Sequence, residues 1–376
     1  MEHYLDNSAT TRVCQAAAEA AMQAMTEIYG NPSSTHTKGR EAKQLLDKSR
    51  KQVAQALGCT PQELVFTSCG SESDNWAILN GAELMRRKGM HIISSQVEHD
   101  AVRKSLDELE RRGFEVTRLK PDGTGAIPVQ AVAEALRPDT VLVTLMLVNN
   151  ETGAVTDIAA IARAMKKAGS QALLHTDAVQ AFMKLPFTVK SLGADLVSIS
   201  AHKIHAPKGI GALYIKNGVK LKPFLLGGGQ EEGRRAGTEA MPQIAAFAAA
   251  CREAGEHLQE NYERMAGLRQ LAIDELRRDI PELVVIGAGA PHILSISLPG
   301  WRSEVLMNYL EAREIYVSKS SACKKGGRSH VLEAIGLTPK VIDGAIRIGL
   351  SRFTTREDIL ALCEALKEAR SRLAHA

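Results

Sequence analysis

Between Leu64 and Ile215 the chain alternates short apolar runs with longer stretches of helical pattern. No other feature narrows the choice of fold as much. Residues 64–67, 91–94, 115–119, 141–148, 172–175, 196–200 and 212–215 read as strands, and 71–87, 100–112, 129–136 and 157–168 as helices between them. The run 141–148 is apolar throughout, as expected for a strand covered on both faces. Repeated β-α units predict an α/β fold with a mainly parallel sheet flanked by helices. Ligands of such sheets bind beyond the carboxyl ends of the strands.

The flanks complete the organisation. Residues 4–11 read as an extended piece ending in polar turn residues. A helix over 13–28 stops at Gly30 and Pro32, and a charged helix covers 37–57. The glycine-rich stretch 227–237 reads as a linker. Beyond it lie a long helical region (242–278), strands at 283–286, 292–298 and 345–351, and helices at 303–311, 330–335 and 355–373. We therefore expect a large α/β domain over 12–255 and a smaller α+β domain over 256–376, with residues 1–11 packing near the latter.

At 376 residues the chain is long enough for two cores. A net charge of +4 with no basic tract argues against nucleic acid as the main ligand. No apolar run reaches membrane-spanning length, and the first residues lack a secretory pattern. The six cysteines form no C-x-x-C pair, so neither a metal site nor a disulfide framework is expected. Cytoplasmic localisation is the expectation.

The strand ends hold the chemistry. After 196–200 comes a cationic corner with Ser200, His202, Lys203, His205 and Lys208. A lysine held there partly out of water can lose its proton and attack an aldehyde; a solvated basic loop is the plain alternative. Thr67-Ser-Cys-Gly-Ser71 ends one strand and opens a helix, a setting that suits a phosphate at Gly70 and Ser71 or an ordinary cap. His99 follows another strand and is placed either to stack on a planar ring or to cap a helix. Asn149 ends the long apolar strand. Asp177 is a carboxylate at a buried strand end, costly unless paired, for which a protonated pyridine nitrogen is a fitting partner, and Gln180 is within reach of a phenolic oxygen. A phosphate cradle, a ring stack, an acid for a ring nitrogen and an aldehyde-capturing lysine together describe pyridoxal 5′-phosphate.

On these residues the chain resembles fold type I, class V aminotransferase-like pyridoxal-phosphate enzymes, and more narrowly the cysteine desulfurases. The likeness runs nearly end to end, through Gly30-Asn-Pro-Ser-Ser34, Thr67-Ser-Cys-Gly-Ser71, Glu98-His99, His175-Thr-Asp-Ala-Val-Gln180, Ser200-Ala-His-Lys203, Arg235-Ala-Gly-Thr238, Ser321-Ala-Cys323 and Ile346-Arg-Ile-Gly349. The resemblance makes Lys203, not Lys208, the Schiff-base lysine. It implies that His99 stacks on the ring and passes protons, Asp177 meets the pyridine nitrogen and Gln180 the phenolic oxygen. Ser200 and His202 join Gly70 and Ser71 at the phosphate. Thr238 reaches the phosphate of the other subunit, which implies a homodimer. Two positions depart from the family pattern: Ala201, where Gly is common, and Gln230, where His is common.

Cys323 lies in a basic loop with Lys319, Lys324, Lys325 and Arg328, surroundings that favour a thiolate. Arg347 alternates with Ile346 and Ile348, so it points away from them, toward either a substrate carboxylate or a structural ion pair. The family comparison favours the carboxylate, with Asn149 assisting. The activity implied is removal of sulfur from L-cysteine to give L-alanine and a persulfide on Cys323. That sulfur would pass to an acceptor protein such as an iron–sulfur scaffold or a tRNA-thiolation enzyme. Alternatives are a selenocysteine lyase or cysteine-sulfinate desulfinase, a transaminase of the same fold, or a non-catalytic binding protein that keeps it.

Overall fold

A computed structural model describes residues 2–320 and 328–373. Its strands are β1 (His3–Tyr4), β2 (Leu64–Thr67), β3 (His91–Ser95), β4 (Glu115–Leu119), β5 (Thr140–Thr144), β6 (Leu173–Asp177), β7 (Leu196–Ser200) and β8 (Gly211–Ile215), then β9 (Val284–Ile286), β10 (Ile293–Ser297), β11 (Ile315–Tyr316), β12 (Ser318–Lys319) and β13 (Ala345–Gly349).

β2 to β8 form one seven-stranded sheet in the order β2-β8-β7-β6-β5-β3-β4. β3 to β7 run parallel, and β8 is antiparallel to both its neighbours, β2 and β7. The reason is loop length. Only residues 201–210 separate β7 from β8, and a parallel crossover needs roughly a dozen residues or more. The carboxyl ends of β2, β3, β5, β6 and β7 therefore share one edge with the start of β8.

Side chains alternate between the two faces of this sheet. Val65, Ile92, Leu142, Leu196 and Leu213 join one apolar core, while Leu64, Phe66, Ile93, Val143, Val197 and Ala212 join another. Both faces are covered, which explains why the strands read as continuous apolar runs.

Three elements depart from the sequence reading. The apolar run 141–148 forms a regular strand only over Thr140–Thr144. Leu145 and Leu147 remain buried and donate to the carbonyls of His175 and Asp177, but the chain bends to deliver Asn149. The helix expected over 71–87 contains a π-helical turn, Trp76–Asn80, between α-helices Gly70–Asn75 and Gly81–Met85. The long helical region breaks at His257 into Met241–Glu256 and Leu258–Asp279.

Helices Gln15–Thr26 and Thr37–Leu57 both pack on Met241–Glu256. The stretch 227–237 is not a free linker. Arg50 grips the buried Glu231 through two bonds of 2.6 and 2.7 Å, and Arg235 grips Glu72 at 2.8 and 3.1 Å.

The remainder builds an antiparallel sheet in the order β12-β13-β10-β9. Its core holds Leu294, Ile296, Ile346 and Ile348 against Leu306, Leu310, Ile359, Leu362 and Leu366. Leu5 belongs to this core. β1 pairs in parallel with β11, and the Leu5 carbonyl accepts from Gly349 N at 2.6 Å. Gly349 is required there, because a Cβ would lie 2.5 Å from Ser8 N. Residues 2–12 thus run from the small sheet to the edge of the large one. Among the described residues no helix is long and apolar enough to cross a membrane.

Candidate active site

The corner after β7 is stitched to the N-terminal segment. Thr11 N and Oγ donate to the His202 carbonyl at 3.0 and 2.9 Å, and His205 N donates back to Thr11 Oγ at 2.8 Å. His205 has left-handed backbone (φ 69°), so the chain turns sharply just past Lys203. Lys203 Nζ donates to the Ser8 and Ala9 carbonyls at 2.6 and 2.7 Å. Gln180 Nε2 donates to the same Ser8 carbonyl at 2.9 Å, leaving its buried Oε1 without a partner. Lys208, by contrast, is exposed at the tip of the corner.

Asp177 closes β6 and is 7% exposed. Its Oδ1 accepts from Val179 N at 2.9 Å. Burial raises its carboxyl above the usual range, opposed by the nearby charges of His99 and Lys203. Beneath it lies a buried polar chain. Thr144 Oγ and His175 Nδ1 are 2.8 Å apart, and His175 Nε2 and Ser198 Oγ 3.0 Å. Asp74 Oδ1 is 3.7 Å from His175 Nε2. Burial drives His175 down to about 3, so it is neutral at ordinary pH. Burial and the neighbouring Asp177 raise Asp74.

The phosphate-type end is built by Gly70, Ser71, Ser200 and His202. A Cβ on Gly70 would meet Val179 Cγ2 at 2.7 Å and Ser200 Cβ at 3.4 Å, so helix start and strand end meet here without room for a side chain. Ser200 Oγ is buried with no partner, and Ser71 is exposed. His202 Nδ1 lies 3.2 Å from Thr10 Oγ. Burial, with the neighbouring lysines, brings His202 down to about 4.

His99 caps helix Asp100–Arg111, its Nδ1 accepting from Ala101 N at 3.1 Å. Of the two roles considered from sequence, the cap is the one these hydrogen bonds describe. The preceding Glu98 is buried, accepts from Ser95 Oγ at 2.5 Å, and is pushed up to about 8 by burial.

Asn149 is held by the turn it begins. Its Nδ2 donates to the Val97 carbonyl at 3.0 Å, and its Oδ1 accepts from Glu151 N and Thr152 N at 2.9 and 3.0 Å. Its amide shapes the turn after β5. Arg347 is buried. Its Nη1 donates to the Asn150 carbonyl at 2.8 Å, and its Nη2 reaches Ser318 Oγ at 3.1 Å and Asp6 Oδ1 at 3.3 Å. The ion pair weighed from sequence is therefore present, while Nε has no partner. Thr238 is exposed. Cys323 lies outside the described residues.

Lys203, Asp177, Gln180, Ser200, His202 and Gly70 are thus brought to one sheet edge. Sequence reasoning missed the Ser8 and Ala9 carbonyls, the Asp74–His175–Ser198 group and the buried Lys184. Backbone carbonyls leave no signature in a sequence. Lys184, alone in the apolar stretch Ala181-Phe-Met-Lys-Leu185, was the visible clue.

The class-V aminotransferase family model matches residues 3–362. A cysteine desulfurase of Trichormus azollae is 41% identical over 375 residues, covering 98% of this chain and 93% of that protein. A solved NifS-like protein superposes with a TM-score of 0.94 at 37% identity, covering 99% of this chain and all (100%) of the other. A protein called SspA, solved in complex with cysteine, superposes with a TM-score of 0.81 at 32% identity, covering 94% and 100%.

Proposed function

The chain belongs to the class-V aminotransferase family, and from that membership we propose that it is a pyridoxal 5′-phosphate-dependent cysteine desulfurase. The observation that carries the reading is the meeting of Lys203, Asp177, Gln180 and Ser200 at the carboxyl edge of β6 and β7.

These residues fit the cofactor. Ser200 Oγ and Gln180 Oε1 are buried polar atoms with no protein partner, suited to a phosphate and a phenolic oxygen. Asp177 is a buried carboxyl whose charge a protonated ring nitrogen would stabilise. When bound, the cofactor supplies an aldehyde that captures amines and a ring that takes up electrons.

The chain's own residues do the rest. Lys203 anchors the cofactor and, once displaced, moves the proton at the substrate Cα. Asp177 holds the ring nitrogen protonated. Gly70, Ser71, Ser200 and His202 hold the phosphate, and the neutral His202 serves as a hydrogen-bonding group there. His99 covers the ring and passes protons, while Arg347, released from its pair with Asp6, and Asn149 orient the substrate carboxylate. The Cys323 thiolate takes the sulfur of L-cysteine, leaving L-alanine and a persulfide that an acceptor protein collects for iron–sulfur cluster assembly or tRNA thiolation. Thr238, exposed on this chain, completes the phosphate site of a second subunit. We assign residues 12–255 to the large domain and 256–376 to the small one; the small sheet's own core supports the division, while Ala290, Ile293 and Val331 pack across it into the large domain's core.

Cys323→Ser tests the reading. It should keep the cofactor's visible absorption and stop alanine formation from L-cysteine; undiminished alanine release would sink the assignment. Lys203→Ala should lose that absorption, and its retention would move the anchor to another lysine.

A further inference from the structure

The donors of the buried Arg347 are unequally engaged. Its side chain is 3% exposed, against 23% for that of Asp6. Nη1 donates to the Asn150 carbonyl at 2.8 Å, and Nη2 to Ser318 Oγ at 3.1 Å and Asp6 Oδ1 at 3.3 Å. Nε has no partner among the described residues. The Ser318 hydroxyl donates in turn to Asp6 Oδ1.

A carboxylate grips a guanidinium best through two parallel N–H···O bonds. The side-on pair of donors here is Nε and Nη2, and of the two only Nη2 is occupied. For a second carboxylate to take that pair, either Ser318 or Asp6 must yield. Ser318 is held in place, because it lies on β12 directly opposite Arg347 on β13. The Asp6 backbone is fixed too: it bridges Gly349, and its neighbours Leu5 and Asn7 bond to the same glycine. Its partly exposed carboxylate, however, has water to turn to. We infer that Asp6 is a placeholder for the substrate carboxylate: it holds Arg347 in the empty site and gives up Nη2 when the substrate's carboxylate takes Nε and Nη2 together. The Ser318 hydroxyl, losing Asp6 as its acceptor, then donates to the newcomer.

The arrangement has an energetic reason. A buried guanidinium without a counter-charge is costly, and Asp6 is the one carboxylate within ion-pair distance of Arg347 among the described residues. Glu151 also senses the arginine, but its Oε2 accepts from Ser329 Oγ at 2.5 Å and burial pushes its carboxyl up to about 7. The placeholder keeps the buried cation neutralised at the expense of affinity for the substrate, which must displace it. An amine that carries no carboxylate leaves the Asp6–Arg347 pair intact and meets no such penalty. Asp6 acts through Arg347 and is a positioning residue rather than a catalytic one.

This inference rests on Arg347 receiving the substrate carboxylate. The test titrates holoenzyme with L-alanine and with ethylamine, which differs from it only in lacking the carboxylate, and follows the cofactor's visible band at equilibrium. Asp6→Asn removes the charge and keeps a hydrogen-bonding group. It should bind L-alanine about fivefold more tightly than wild type does, and ethylamine within about twofold of wild type. Asp6→Ala, which keeps the backbone pairing, should show the same preference. The gain should persist at about 0.5 M salt, because a buried contact is little screened. L-alanine binding that is unchanged or weaker in both variants, equal tightening of both ligands, or a gain that salt abolishes would overturn the placeholder. Holoenzyme whose band responds to neither ligand would instead remove the functional reading beneath it.

Discussion

Glu98 shows how one side chain's surroundings set the behaviour of its neighbours. Its raised carboxyl, at about 8, follows from burial beside His99, which the Ser95 hydroxyl and the Met146 backbone offset only in part. A carboxyl whose folded value lies above its unfolded one stabilises the fold below the unfolded value, near 4.5, and loses that contribution as pH rises through the folded value. Glu98→Gln removes the loss. Its stability relative to the parent, read from urea midpoints, should increase by about 4 kcal/mol between pH 5 and pH 8; a difference that stays constant with pH would place the proton elsewhere. At Gly70 the constraint is steric. Gly70→Ala brings a Cβ within 2.7 Å of Val179, and it should weaken cofactor affinity about tenfold or more, measured by equilibrium titration of the visible band, and lower the melting temperature modestly. Residue types at strand ends were legible from sequence because Asp177, Gln180 and Lys203 have few other reasons to sit there. Commitments were not. Nothing in the sequence says that Asn149 spends its amide on Val97, Glu151 and Thr152, or that Arg347 already has Asp6 as a partner.

Among the elements, the glycine-rich stretch 227–237 shows why composition misleads. Glycines suggest a slack linker, yet Arg50 and Arg235 fasten the segment to helix Thr37–Leu57 and to the helix that opens at Gly70. Glu231 also accepts from Phe66 N at 3.0 Å, which ties it to β2. Arg50→Leu leaves a buried carboxylate without its cation and should cost about 3 kcal/mol or more in chemical denaturation. Adding Glu231→Leu should recover part of that loss; a double variant no better than the single one would show that the pair is not the fastening. Strand and helix positions were read well wherever period and length agreed, as in helix Thr37–Leu57 and strand β2. The π-turn at Trp76 was invisible because it arises from tertiary packing: the Trp76 indole donates to the Lys222 carbonyl at 2.8 Å, a contact 146 residues away.

Across the whole molecule the two cores are linked by a segment that belongs to both. Leu5 is fully buried among residues of the small sheet, and three residues later Ser8 presents its carbonyl to Lys203. Leu5→Ala should therefore do two things. It should cost about 2–5 kcal/mol in global stability, and it should slow cofactor capture by loosening the carbonyls that orient Lys203. A loss of stability with unchanged capture would show that the segment is anchored by its backbone pairing alone. The parallel sheet and its site edge were legible because they follow from local alternation. The link between cores was not, because it joins positions more than 300 residues apart, as in the 342-residue separation of Asn7 from Gly349. That separation also orders events during synthesis. Lys203 leaves the ribosome long before Gly349, and chains fold progressively as they emerge. Until Gly349 arrives, the Ser8 and Ala9 carbonyls are held only from the Lys203 side, through Thr11 on His202 and Gln180 on Ser8. The newborn chain therefore carries this amine without its second anchor while residues 204–349 are made, and loading with the cofactor becomes a late event in translation.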